Sequence, residues 1–291
     1  MKNFKNFQYD VDQQRVSDRL AHIRNTYPDE PGKEALLTIL GLLDLTSLSE
    51  KDNAENIGRM CYQLNLLPES YPELPAPAAI CVYPELVPVV KAKLNNPLVN
   101  IASVGGGFPS SQTFLEIKMK EIELAIEAGA DEIDIVMSVG KYRLGLFEEV
   151  SEEIRLIKEQ LGSLHLKVIL ETCSLEYPEN VRKASLLAMD AGADFIKTST
   201  GKSDAGASPE SFFIMCEAIR DFYEKTGKKT GIKPAGGIST VNSAWEYYNI
   251  VHDVLGEEWL NPEKFRIGAS RLANNVIRKI FNKEESFSYF N

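Results

Sequence analysis

Short runs rich in β-branched residues alternate along the chain with longer runs whose apolar positions recur every three to four residues. The short runs are "LLDLTSL" (42–48), "AAICVYP" (78–84), "LVNIASVGG" (98–106), "EIDIVMSV" (132–139), "HLKVILET" (165–172), "FIKTS" (195–199), "GIKPAGG" (231–237) and "FRIGAS" (265–270). Such lengths and compositions predict buried strands. The long runs include "LEIKMKEIELAIEAGA", "VSEEIRLIKEQLG" and "PESFFIMCEAIRDFYEKTG", which predict amphipathic helices. The last of these opens with Ser208-Pro209, an N-cap followed by proline at the first helical position, and stops at Gly227.

Eight strands, each followed by a helix at intervals of roughly 30 residues, predict an α/β chain folded as a (β/α)8 barrel of about 250 residues. The competing fold is an open doubly wound sheet. It more often stops at five or six strands and carries a dinucleotide glycine fingerprint, whereas "GGGFPS" (105–110) lacks the final glycine. The division expected is an N-terminal helical extension (1–33), a catalytic barrel (34–282) and a C-terminal tail (283–291). In the extension, "VSDRLAHIR" (16–24) places Val16, Leu20 and Ile23 on one face before "YPDEPG" breaks the helix. That face is expected to cap the barrel base or to line a contact between copies, which leaves a homo-oligomer open.

Composition narrows the partners. A net charge of −10 on 291 residues argues against nucleic acid or an anionic membrane, though a local cluster of lysines and backbone N–H groups can still hold a small anion. The four cysteines, Cys61, Cys81, Cys173 and Cys216, form no C-x-x-C pair. A reducing, cytoplasmic location is therefore expected, with neither a zinc site nor a disulfide framework. No run reaches the ~18 apolar residues of a membrane span, and no signal peptide is expected.

The chemistry is carried by an internal echo. "AIEAGADEIDIV" (125–136) and "AMDAGADFIKTS" (188–199) align on A-G-A-D, setting Asp134 against Lys197. "HLK" and "GIK" repeat the step from apolar residue to charge at Lys167 and Lys233. Equivalent barrel positions would point all four charges inward at the C-terminal mouth, where barrels place their chemistry. Three ammonium groups beside one carboxylate should leave at least one lysine partly neutral, and a neutral buried amine attacks carbonyls. The competing reading is structural, with the lysines paired to Asp134 and Glu171. Small glycine-bearing turns, "TSTGKS" (198–203), "PAGG" (234–237) and "GAS" (268–270), follow strands six to eight. Loops after strands seven and eight commonly bind phosphate in such barrels.

From "LLDLTSL" through "AGADEIDIV", "LKVILET", "AGADFIKTSTGK" and "KPAGG" to "FRIGAS", the chain resembles the deoxyribose-phosphate aldolases, a family of class I aldolases. The resemblance implies reversible, metal-free and cofactor-free cleavage of 2-deoxy-D-ribose 5-phosphate to D-glyceraldehyde 3-phosphate and acetaldehyde. Matched motif by motif, it implies Lys197 as the Schiff-base lysine, Lys233 as its charged neighbour and Asp134 as the proton-handling carboxylate. Asp44 and Lys167 are implied as supporting pocket residues, and Thr200, Gly201, Lys202, Gly236, Gly237, Gly268 and Ser270 as the substrate and phosphate loops. Two departures stand out. Family members usually carry arginine where Ser239 stands, and a small polar residue where Arg271 follows "GAS", so Arg271 is expected to replace the missing phosphate cation. The family often ends in a tyrosine tail; here Tyr289 is third from the end. The rival readings are another class I aldolase or transaldolase acting on a longer sugar phosphate, and a non-catalytic phosphate-binding barrel.

Overall fold

The computed structural model describes residues 3–203 and 205–290, so residues 1, 2 and 291 of the two expected extensions lie outside the described residues. The chain enters through α1 (Gln13–Thr26) and α2 (Lys33–Gly41). Strand and helix then alternate: β1 (Leu43–Thr46), α3 (Ala54–Ser70), β2 (Ala79–Val82), α4 (Val87–Lys93), β3 (Asn100–Gly105), α5 (Leu115–Glu127) and β4 (Glu132–Val136). Two helices, α6 (Val139–Arg143) and α7 (Phe147–Leu161), precede β5 (His165–Ile169), α8 (Pro178–Asp190), β6 (Phe195–Lys197) and α9 (Pro209–Thr226). The chain finishes through β7 (Gly231–Lys233), α10 (Val241–Leu255), β8 (Ile267–Ala269) and α11 (Leu272–Phe281).

Neighbouring strands are parallel in the order β7-β6-β5-β4-β3-β2-β1-β8. Single bridges, Ile232 to Phe265 and Ala235 to Gly268, bring β7 to β8. The expected (β/α)8 barrel is therefore the observed fold, and the open sheet is excluded by that closure. Local sequence explains the helix ends. The Ser208 hydroxyl accepts from the Ser211 N–H at 3.2 Å, Pro209 supplies the fixed φ of the first turn, and Gly227 stops α9 at φ 72°. Among the described residues no helix is long and apolar enough to cross a membrane.

The expectation of one register for the four charges is corrected by the ladders. Asp134 pairs with Lys167 across β4 and β5, but Lys167 then pairs with Phe195, and Lys197 pairs with Ile169 and Lys233. The charges thus form two tiers, Asp134 with Lys167 and Lys197 with Lys233. Because the offset is two residues, side-chain alternation still turns both tiers to the same face.

The N-terminal helix lies on the side of the helical ring rather than at its base. Val16, Leu20 and Ile23 are buried as α1 packs across α9 and α10. Arg15 pairs with Glu217 of α9, while Arg19 and Arg24 pair with Asp253 and Glu246 of α10. The apolar face is consumed within the chain, so it is not free to join copies. Leu20→Ala is expected to cost about 2–5 kcal/mol, whereas Arg19→Ala, which removes a half-exposed ion pair, should cost under about 1 kcal/mol. Urea unfolding would read both, and equal costs would show that α1 is held by its charges instead.

Candidate active site

Inward-facing positions of a barrel are normally filled by branched apolar side chains. Here seven charged groups occupy them. Asp44, Asp134, Lys167 and Lys233 are 0% exposed, Glu132 and Arg266 1%, and Lys197 2%. A buried charge without a partner costs several kcal/mol, and each of these has at least one. Asp134 is the hub: its Oδ2 accepts from Lys197 Nζ at 2.8 Å and from Lys233 Nζ at 2.7 Å, and its Oδ1 accepts from Lys167 Nζ at 3.0 Å. Lys233 also donates to Asp44, and Lys167 to Glu132.

Beneath them, Arg266 donates to Asp44 Oδ1 at 2.7 Å and to Glu132 Oε1 at 2.7 Å. Glu132 and Arg266 were not anticipated from the sequence, although a signal for both was present. Glu132 is two residues before Asp134 and Arg266 two before Gly268, so strand alternation already placed them on the inner face. Glu171, expected as a structural partner for the lysines, instead holds the loop after β6. Its carboxylate accepts from the Thr200 hydroxyl at 2.6 Å, and that hydroxyl accepts from the Lys202 N–H at 3.0 Å.

The electrostatics separate the lysines. Burial pushes the Lys197 ammonium below its ordinary value; Asp134 pulls it back and Lys233 pushes it down again, leaving the net direction downward. Lys233 and Lys167 go the other way, because Asp134 and Asp44 outweigh the burial that opposes them. Asp134 and Glu132 are held well below the carboxylate range against their own burial, with Lys167 the leading cause in both. Asp44 is lowered to about 2, where Lys167, Lys233 and Arg266 overcome desolvation. The like-charge argument made from sequence is therefore corrected in emphasis. Burial is the largest downward influence on Lys197, and Lys233 adds to it.

Above this cluster opens a cavity of about 660 Å³ at the C-terminal ends of β1, β6, β7 and β8. Of the three barrel lysines only Lys197 lines it. Thr200, Gly201, Lys202, Gly236, Gly237, Gly268, Ser270 and Arg271 line it as well, together with Thr46 and Ser239. Asp44, Lys167, Asp134 and Lys233 do not line it and are fully buried. Gly236 and Gly237 turn at φ 84° and 81°, and Gly236 packs so closely on Gly206 that a Cβ on it would stand 2.9 Å from the Gly206 Cα. Only glycine meets both demands. Arg271 is the N-cap of α11 and makes no side-chain cap bond. Tyr289 is docked elsewhere: its hydroxyl donates to the Gln63 carbonyl at 2.8 Å, and it packs edge-on against Tyr71.

Comparison with known proteins agrees with this geometry. Residues 39–255 match the family model described as DeoC/LacD family aldolase. The chain is 43% identical over 275 residues to the deoxyribose-phosphate aldolase of Homo sapiens, covering 89% of this chain and 85% of the relative. Its fold is similar to a solved protein of Toxoplasma gondii ME49, with a TM-score of 0.74 at 20% identity over 87% of this chain and 96% of the other. It is also similar to the tetrameric deoxyribose phosphate aldolase of Aeropyrum pernix, with a TM-score of 0.64 at 24% identity over 89% and 96%. A barrel in which one of three buried strand lysines reaches the cavity, standing on a carboxylate shared with the other two, and which a family model matches across most of its length, belongs to the DeoC/LacD family of aldolases.

Proposed function

We propose that this chain cleaves 2-deoxy-D-ribose 5-phosphate reversibly to D-glyceraldehyde 3-phosphate and acetaldehyde, through a Schiff base on Lys197. The observation that carries the reading is that Lys197, alone of the barrel lysines, reaches the cavity while being pushed toward its neutral form. Its free amine adds to the C1 aldehyde, and loss of water gives a protonated imine. That imine accepts the electron pair of the C2–C3 bond as the C3 hydroxyl gives up its proton. Glyceraldehyde 3-phosphate departs, the resulting enamine is protonated at C2, and water releases acetaldehyde and restores the amine.

Asp134 and Lys233 are proposed to act at the nitrogen rather than at the sugar. Both are fully buried, and they meet Lys197 through one carboxylate oxygen. Asp134 takes and returns the protons of the forming and breaking carbinolamine, and Lys233 keeps Asp134 ionised. A water in the cavity is proposed to serve the C3 hydroxyl, since Asp134 does not line the cavity. Asp44 and Lys167 support the cluster from below. The phosphate is proposed to rest on the glycine turns and Ser270, with Lys202 and Arg271 supplying charge. Small sugar phosphates are thus the proposed partners, in the cytoplasm and without metal.

Borohydride added with deoxyribose 5-phosphate should fix one adduct, on Lys197 by mass spectrometry, and Lys197→Ala should lose both adduct and turnover. An adduct on Lys233 or Lys167 in the native protein would overturn the assignment, and an adduct with ketose phosphates alone would point to a different aldolase.

Lys233→Leu removes a positive neighbour but leaves the burial. The Lys197 midpoint should rise by about one pH unit while staying below the ordinary lysine value of 10.5. Because the free amine appears only as pH climbs through that midpoint, kcat/KM at pH 7 should fall about tenfold and recover at higher pH. A pH profile coincident with native would sink the argument.

Ser239 and Arg271 line the same cavity, on the β7 and β8 sides. If Arg271 holds the phosphate in place of an arginine at 239, it makes a charge-assisted bond of roughly 1.5–3 kcal/mol. Arg271→Ala should then raise KM for deoxyribose 5-phosphate by about 10- to 100-fold and barely change it for unphosphorylated deoxyribose. Ser239→Arg in that background should restore part of the loss. Equal effects on both sugars would assign Arg271 to something other than the phosphate.

A further inference from the structure

Arg266 and Glu132 have no part in the steps above. Neither lines the cavity, and neither bonds to Lys197. Arg266 directly precedes β8. Its guanidinium donates to Asp44 and Glu132, its Nε donates to the Pro262 carbonyl, and it lies 5.7 Å from the centre of the Phe195 ring. Glu132 also accepts from Asn100 at 2.7 Å and has His165 Nδ1 at 3.8 Å, while His165 faces Glu263 on its other side.

The groups that surround Lys197 and its partners come from every neighbouring strand. They are Asp44 on β1, Cys81 on β2, Glu132 and Asp134 on β4, His165 and Lys167 on β5, and Lys233 on β7. Among them, three carboxylates face four cations once Lys197 and Arg266 are counted. Among the described residues, Lys167 lies within 4.0 Å of all three carboxylates and Lys233 of two, while Lys197 has Asp134 alone. A guanidinium does not give up its proton in a protein. The surplus positive charge must therefore be relieved at a lysine, and Lys197 is the one with least to hold its proton.

We propose that Arg266 is a positioning residue: clamped by Glu132 and Asp44, it supplies the fixed extra positive charge that makes Lys197 the amine to lose its proton. Glu132 is its counterweight. Without Arg266 the carboxylates and lysines would match one for one, and Lys197 would keep its proton against Asp134. The proposal rests on the reading of Lys197 as the reacting amine.

Charge parity makes sign-specific predictions that a merely structural role does not. Glu132→Gln keeps the shape and leaves two surplus charges, so the Lys197 midpoint should fall by about one pH unit. Arg266→Met leaves none, and the midpoint should rise by a similar amount. The double variant Glu132→Gln/Arg266→Met restores one surplus charge and should return near native, as should Arg266→Lys. Competitive acetylation with acetic anhydride across pH, read by mass spectrometry on the Lys197 peptide, gives the midpoint without reference to turnover. The kcat/KM profile for deoxyribose 5-phosphate should move in parallel. Single variants that shift in the same direction, no shift in either, or a double variant that fails to cancel would each overturn the proposal. If circular dichroism shows Arg266→Met unfolded, the downward shift of Glu132→Gln and the return of the double variant decide it. If the native protein does not turn over deoxyribose 5-phosphate, the aldolase reading fails by itself, while the acetylation midpoints still test the charge balance.

Discussion

One carboxylate oxygen holds two ammonium groups in the buried interior of the barrel. Asp134 Oδ2 accepts from Lys197 and Lys233, and its other oxygen accepts from Lys167. Such a hub is tolerable only if its own charge is secured, and three cations secure it. Two of those cations, Lys233 and Lys167, pair with further anions, which brings in Asp44 and Glu132, and those in turn pair with Arg266. The cluster grows outward from Asp134 until the polar groups are satisfied, and it then meets apolar neighbours such as Phe195, whose ring lies against Arg266. Removing one partner would leave a buried charge uncompensated, which is far costlier than the pair is worth.

The barrel suits this arrangement because strand alternation delivers side chains to a common interior from every direction without a loop entering it. It also sorts the groups by depth. The floor is sealed, charged and rigid. The mouth is built from glycine turns, hydroxyls and two exposed cations, Lys202 and Arg271. Lys197 belongs to both layers, anchored below by Asp134 and open above to the cavity. That single placement separates the lysine that can meet a substrate from the two that can only tune it.

Much of this was legible in the sequence. Eight β-rich runs separated by amphipathic ones named the barrel, because a buried parallel strand and its covering helix each have a distinct period. The apolar face of α1 was legible too, but its docking place was not. A hydrophobic stripe states that it must be buried, and says nothing about which helices bury it. The A-G-A-D echo found the charged residues yet misjudged their register, because a repeated segment reports a similar strand and turn, while the barrel's shear shifts β6 against β5 by two residues. Glu132 and Arg266 were missed for a simpler reason. Glu132 opens its strand and Arg266 precedes β8, where a charged side chain reads equally well as the polar end of a turn, and only the two-residue spacing to Asp134 and Gly268 marks them as inward.

A buried lysine outside the barrel shows why Lys197 is different. Lys118, 1% exposed, lies outside the barrel on α5, where it donates to Glu153 at 2.7 Å and to the hydroxyls of Ser111 and Ser138. Burial is as complete there as at Lys197, but the charges match one to one and the remaining donors meet neutral oxygens. Among the described residues Lys197 instead pairs with one carboxylate oxygen, shared with a second ammonium group, in a cluster carrying one cation more than anions. Burial raises the cost of every charge, but it does not choose which proton leaves. The choice is made by the count of fixed charges around each amine, and around Lys197 that count has been left one positive charge in excess.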